Sequence, residues 1–198
     1  MINIPTPSKK EVEKYLNKWK HRENTILHEN ALDKLFLEIY PKNNDINEVL
    51  IKASSLNDFY YTNIFSIIPV AKHIIEIKTD ERLEKNDTSL VNDMANINIS
   101  GVDKNFYSFS TKYCSRHNPK EFPIYDSYVD KCLMYFKRRD NFDNFVKKDL
   151  KDYKKFKDIL INFKKFYNID EYDLKDIDMY LWQLGKEKFP KNYGKNSK

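Results

Sequence analysis

The residue types and spacings that can do chemistry lie mainly between positions 88 and 129 of this 198-residue chain. Asp126 follows Phe122-Pro123-Ile124-Tyr125 and precedes Val129, Cys132, Leu133 and Phe136. An aspartate in that setting is predicted to cap a helix, at the positive end of its dipole. Upstream, Gly101 sits in Ile99-Ser100-Gly101-Val102-Asp103, predicted as a tight hairpin between two helices. A glycine bend that feeds a helix N-terminus can offer backbone N–H groups to a phosphate, and such a contact holds a nucleic acid without reading its sequence. Elsewhere, Arg22 and His28 are separated by five residues on a helical stretch, a pair that can polarise a phosphate and move a proton. The four histidines and two cysteines show no metal-ligand spacing, and no glycine-rich nucleotide loop occurs. No metal and no cofactor are expected.

Composition narrows the class. Hydrophobic residues make up 40% and charged residues 33%, which suits a globular chain. Only Gly101, Gly185 and Gly194 are glycines, too few for a hairpin-rich β fold. The 14 Tyr, 13 Phe and 2 Trp can fill a helical core or stack on bases. The net charge of +5 is unevenly spread: residues 147–165 carry eight Lys and three Asp, and residues 186–198 carry five Lys and one Glu. Basic segments of this kind fit a phosphate-contacting surface, or simply a solvated lysine-rich face. With two cysteines, no signal sequence and no long apolar run, the chain is expected to be cytoplasmic with reduced thiols.

The elements that must position these residues are read as helices. Ser8 with Glu11 opens one carrying Val12, Tyr15, Leu16 and Trp19. A second carries Ile26, Leu27, Ala31, Leu32, Leu35, Phe36 and Ile39 before Pro41. Asp45 with Glu48 opens a third, and further helices are predicted at 57–67, from Pro69, at 88–97, 104–117, after Asp126, at 149–167 and at 173–187. The expected fold class is all-α, one helical domain over 1–190 with two lobes around a cleft, and a disordered basic tail over 191–198.

In order, helix, hairpin, helix, turn and capping aspartate over 88–129 resemble the helix–hairpin–helix DNA glycosylase superfamily. The hairpin there reads roughly Leu-Pro-Gly-Val-Gly, against Ile99-Ser100-Gly101-Val102-Asp103 here, and its apolar-Pro-apolar-Asp run matches Phe122 to Asp126. The closest likeness is to the archaeal-type 8-oxoguanine glycosylases. Their Lys-xxx-Phe-xx-Lys pattern reads Asn105-xxx-Phe109-xx-Lys112 here, and their Asp-xxx-Trp pattern reads Asp178-xxx-Trp182. The resemblance implies double-stranded DNA as partner, a monomer, and excision of a damaged or modified base, an oxidised purine among the candidates. It implies Asp126 as catalytic carboxylate, with Lys104 and Lys112 as candidate amines. Phe109, Asp178 and Trp182 would form the base pocket, and Gly101, Val102 and Asn105 would hold a phosphate. Asn105 stands where the family has its nucleophilic lysine, which implies a glycosylase using water alone unless another lysine faces the sugar. A non-enzymatic DNA-binding module of the same fold is the alternative. The Arg22/His28 spacing also resembles the loose Arg-x(4–6)-His signature of HEPN-type ribonucleases.

Overall fold

The structure, a computed structural model, describes residues 4–190. It is mostly helical, as expected. In chain order the described residues form α1 (Lys9–Lys20), α2 (Glu23–Asp33), α3 (Ile46–Phe59), α4 (Ile67–Glu76), α5 (Thr79–Glu84) and α6 (Ser89–Ala95). A small antiparallel pair follows, β1 (Asn96–Ile99) and β2 (Val102–Asn105), then α7 (Tyr107–His117), α8 (Ser127–Asp140), α9 (Tyr153–Phe166) and α10 (Leu174–Lys188). The predicted tail at 191–198 lies outside the described residues. No helix among the described residues is long and apolar enough to cross a membrane.

The caps follow the sequence. Ser8 accepts from the Glu11 N–H, and Asp45 accepts from the N–H groups of Asn47 and Glu48. Asp126 accepts from the Tyr128 N–H at 2.8 Å and caps α8. Each satisfies a donor that the first helical turn leaves orphaned.

Central to the core is α7, buried on almost every side, with Tyr107 and all residues from Phe109 to Arg116 inside. A helix buried all round must pair its polar groups internally. Thr111 donates to the Ser108 carbonyl, Ser110 to the Phe106 carbonyl, and Arg116 to Asp33. The C-terminal α10 packs against α8 and returns to α1. Gln183 there donates to the Tyr15 carbonyl at 2.6 Å, and Lys18 pairs with Glu187 at 2.8 Å. Similarly, Asn92 of α6 bridges the approach to α9, donating to the Lys151 carbonyl and accepting from the Tyr153 N–H.

Gly185 lets α10 sit directly on the first turn of α8. A Cβ at this position would lie 2.7 Å from both the Cβ and the carbonyl oxygen of Tyr128. Gly185→Ala gains up to about 1 kcal/mol of helix propensity, but neighbouring backbone cannot rotate away, which puts the packing cost near the top of the usual ~1–3 kcal/mol. A net loss of about 1–2 kcal/mol is expected, read as a lower urea midpoint at unchanged m-value.

Four expectations are corrected. The hairpin expected at 99–103 is present, but it joins two short strands instead of two helices, with Asn96 opposite Asn105 and Ile99 opposite Val102. Ser100 (φ 52°) and Gly101 (φ 83°) make its two-residue turn, the left-handed pair that a twisted hairpin requires. Consequently α7 begins at Tyr107 instead of 104. The predicted helix at 57–67 is also absent: α3 ends at Phe59, and 60–66 is irregular, with Tyr61 and Asn63 at positive φ. Beyond Asp33, the second helix continues as a π-helical turn, Lys34–Ile39, which shifts its register. Of its predicted apolar face only Leu32 and Phe36 are buried, while Leu27 and Ile39 are about half exposed. Finally, 147–151 is a separate 3₁₀ turn, so α9 starts at Tyr153.

Candidate active site

One enclosed cleft, of about 310 Å³, is lined by residues from α1, α2, α3, the 60–66 loop, α7, the turn before α8, α8 itself and α10. Its size falls at the small end of ligand pockets. Rings dominate its walls: Trp19, Phe59, Tyr60, Tyr61 and Trp182, with the His28 imidazole stacked on Phe59 at 4.5 Å. Three ionisable groups expected from the sequence or from the resemblance, Lys112, Asp126 and Asp178, come together here with Trp182, and Lys186, one turn beyond Trp182, joins them unanticipated.

Lys112 projects from α7. Its Nζ lies 2.5 Å from Ser108 Oγ, to which it donates, and 5.4 Å from the centre of the Tyr60 ring. One turn on, Arg116 lies over the same ring at 5.6 Å. Its guanidinium donates to Asp33 at 2.9 Å, to Glu29 and to the Tyr60 hydroxyl. This buried cation ties α7 to α2 and to the residue that ends α3, and so fixes one wall of the cleft.

Asp126 reaches the cleft because it caps α8 there. Asp178, on α10, accepts from the Ile124 N–H at 2.8 Å and thereby pins the turn that carries Asp126. Burial pushes the Asp178 carboxyl up to about 8, the Ile124 N–H opposing the shift. Near neutral pH this carboxyl is therefore a proton carrier inside the cleft. The raised value also fixes a sign for stability. Between the ordinary carboxylate range and about 8 the folded state binds the extra proton, so this group's contribution is full below about pH 4 and is lost as pH rises towards 8. Asp178→Asn keeps an acceptor for Ile124 and removes the titration. It is expected to flatten the decline in unfolding free energy between pH 5 and 8, by up to about a few kcal/mol, read from urea titrations at each pH.

Trp182 packs edge-on against Trp19 at 5.5 Å, with Arg22 at 5.5 Å and Lys186 at 4.8 Å from its ring centre. Arg22 thus rests on one ring and His28 on another.

The remaining sequence candidates lie elsewhere. Phe109 is buried in the core, tilted against Tyr113 at 5.8 Å, and forms no part of the cleft wall. Lys104 is exposed on β2, paired with Ile97, and does not line the cleft. Gly101 donates its N–H to Asn98 Oδ1, and Asn105 accepts from the Tyr107 N–H while donating to Asn96. Since β2 stands between the glycine and α7, Gly101, Val102 and Asn105 do not form a bend at the helix N-terminus. No cluster of His, Cys, Asp or Glu suited to a metal ion occurs among the described residues.

Glu29, Phe59, Tyr60, Lys175 and Lys186 line the cleft without having been singled out. For α10 a signal existed. Lys175, Asp178, Met179, Trp182 and Lys186 recur at helical spacing, a second stripe beside the core stripe of Leu174, Ile177, Leu181 and Leu184. Tyr60 had none, because its position depends on where α3 stops.

A family model described as HI_0787_N, N-terminal domain, matches residues 11–121. A protein of Haemophilus influenzae, described as an uncharacterized protein, is 52% identical over 148 residues, or 74% of this chain and 71% of that relative. No solved structure matches.

Proposed function

The chain belongs to the HI_0787_N family, and from the cleft of this member we propose a DNA glycosylase that turns a damaged or modified base out of the duplex and cuts its N-glycosidic bond. The observation that carries the reading is convergence. Lys112, Asp126, Asp178 and Trp182 are spread over 71 positions, were chosen from the sequence pattern, and line one aromatic cleft. A base extruded from a duplex needs flat apolar walls and a few polar groups, which Trp182, Tyr60 and Phe59 with Asp178 supply. The fold it implies is helix–hairpin–helix glycosylase-like, with the β-hairpin in place of the usual bend.

In this mechanism Asp126 faces the sugar and stabilises the positive charge that develops as the bond to the base lengthens. The amine of Lys112, in its neutral form, attacks C1′ as the bond from C1′ to the base nitrogen breaks. The departing base keeps the electron pair and takes a proton from the neutral Asp178 carboxyl. The resulting amino sugar opens to a Schiff base, from which strand cleavage by elimination follows. Lys112 thus takes the place that Asn105 leaves vacant in the sequence pattern, because Lys112 lines the cleft and Lys104 does not. Backbone phosphates find cations on the surface around 147–154: Lys148, Lys151 and Lys154 line an open groove of about 500 Å³ between α6 and the start of α9, with Asp93 and Asp152 also on its edge.

Incubation with duplexes carrying single 8-oxoguanine, uracil, hypoxanthine or alkylated bases, followed by scoring of abasic sites after alkali, tests the proposal. Release from one lesion class supports it. Intact DNA binding with no release from any of them points to a binding module of this fold, and absence of DNA binding overturns it.

A further inference from the structure

Two cations converge on the Trp182 ring at the edge of the cleft. Arg22, just before α2, has its guanidinium carbon 5.5 Å from the ring centre, and Lys186, in the last turn of α10, has its amine at 4.8 Å. Trp19 and Tyr128 meet the same ring edge-on, at 5.5 and 6.4 Å. Among the described residues neither Arg22 nor Lys186 forms an ion pair, whereas Lys18 and Lys188, close in sequence, both reach Glu187. The acids of the cleft do not cancel the pair. Glu29 is taken by Arg116, with Lys175 at 4.0 Å, and burial keeps most of Asp178 protonated at pH 7. Asp126 remains, and it acts on Lys186 from beyond ion-pair distance. Burial, and then the Arg22 charge, hold the Lys186 amine below the usual lysine range, with Asp126 opposing. Lys186 also lines the cleft, so its amine stands on the side of Trp182 from which a base would stack. One face of an indole cannot hold an ammonium and a base together.

We propose that Lys186, backed by Arg22, is a removable cover on Trp182: the phosphates of a docked duplex draw both cations off, and only then does the ring receive a base. The cleft thereby selects a base carried on a nucleic-acid backbone over the same base free or as a nucleoside. The inference rests on the glycosylase reading and deepens it by adding two specificity-determining residues. A cation over an indole at a partly exposed site is held only a few-fold, and the flexible stem of a lysine lets its amine swing. A phosphodiester offers that amine a full charge. A nucleoside offers none, and must displace the ammonium with nothing to receive it. When the duplex leaves, the cover returns, and a freed base still in the cleft loses its wall.

The test compares two probes. 2-Aminopurine riboside, whose emission falls on stacking, reads the cleft without a phosphate, and a short duplex with a single tetrahydrofuran abasic analogue reads the backbone. The double variant Arg22→Ala/Lys186→Ala should bind the riboside about fivefold more tightly than wild type, the combined worth of the two ring contacts. Its affinity for the duplex should fall, and the slope of log affinity against log salt should become shallower by about 2, one phosphate contact for each cation. Adding Trp182→Leu should abolish the gain for the riboside, and Lys186→Arg should match wild type with both probes. The melting temperature of the double variant should stay close to that of wild type, since neither side chain is in the core. Opposite changes for the two probes are what separate a cover from a residue that merely supports the fold. Riboside binding by the double variant that is unchanged, weaker or unmeasurable overturns the cover. An unchanged salt slope overturns the transfer to phosphate. In either case the glycosylase reading stands on its separate base-release assay, whereas failure of wild-type protein to bind the duplex overturns both.

Discussion

Asp126→Asn is expected to lower base release by about 10²–10⁴-fold, the usual range for losing a positioned acid or base, while duplex affinity stays within a few-fold of wild type. The substitution is informative because of where Asp126 sits. Asparagine caps a helix as well as aspartate does, so the bond from the Tyr128 N–H survives and α8 starts where it did. Only the negative charge facing the cleft is lost. Lys112→Gln is the companion. Under the proposed mechanism, borohydride traps a covalent protein–DNA adduct with wild type and none with Lys112→Gln. Both variants should be read in single-turnover conditions, where release of product does not mask the chemical step. Base release by wild type without any trapped adduct would keep the glycosylase and replace the amine by water. Undiminished release by Asp126→Asn would remove the carboxylate from the mechanism.

The largest effect on stability is expected from Arg116→Met. The methionine keeps much of the buried stem but removes the charge that holds Glu29 and Asp33, one turn apart on α2, together with the Tyr60 hydroxyl. Breaking one partner out of a buried ion pair typically costs about 3–5 kcal/mol. Asp33 is 43% exposed and can rehydrate, whereas Glu29 is only 17% exposed, so the low end, about 3 kcal/mol, is expected. For a chain of this size that is a fall in melting temperature of roughly 6–12 °C. Pairing it with Glu29→Gln should recover part of the loss, and the shortfall from additivity in this cycle measures the coupling. Full additivity would mean that Arg116 does not act through Glu29.

The sequence disclosed the helices with strong periodicity or a capping residue, because caps and apolar stripes are local signals. Asp126, Asp45 and Ser8 belong to this class. Its failures have a common physical root in groups whose role is settled by distant partners. Nothing local says that Asn57 will clamp 60–66, or that a π-helical turn will begin at Lys34 and leave Ile39 half exposed. The strands flanking the hairpin were missed because Ser100-Gly101 suits both a turn between helices and a two-residue β turn, and the choice was made by the pairing of 96–99 with 102–105. The site was legible to the extent that its residues lie on long helices. Lys112, Asp126, Asp178 and Trp182 all do, or cap one, and all reach the cleft, but Phe109, on the same helix as Lys112, turns into the core, and Lys104 and Asn105 lie on β2 instead of a helix.

The return of α10 onto α1 has a consequence for how the protein comes into being. The region matched by the family model ends at 121, yet Tyr15 and Lys18 inside it meet their partners at 183 and 187. Homology and cooperativity therefore have different borders, and half of the cleft belongs to the stretch after 121. On the ribosome, α1 emerges early and waits through most of synthesis with its apolar stripe uncovered, until α10 leaves the exit tunnel. Closing so long a loop is slow relative to local helix formation. During that interval the nascent chain is an unclasped chain of helices, and the cleft is among the last features to exist.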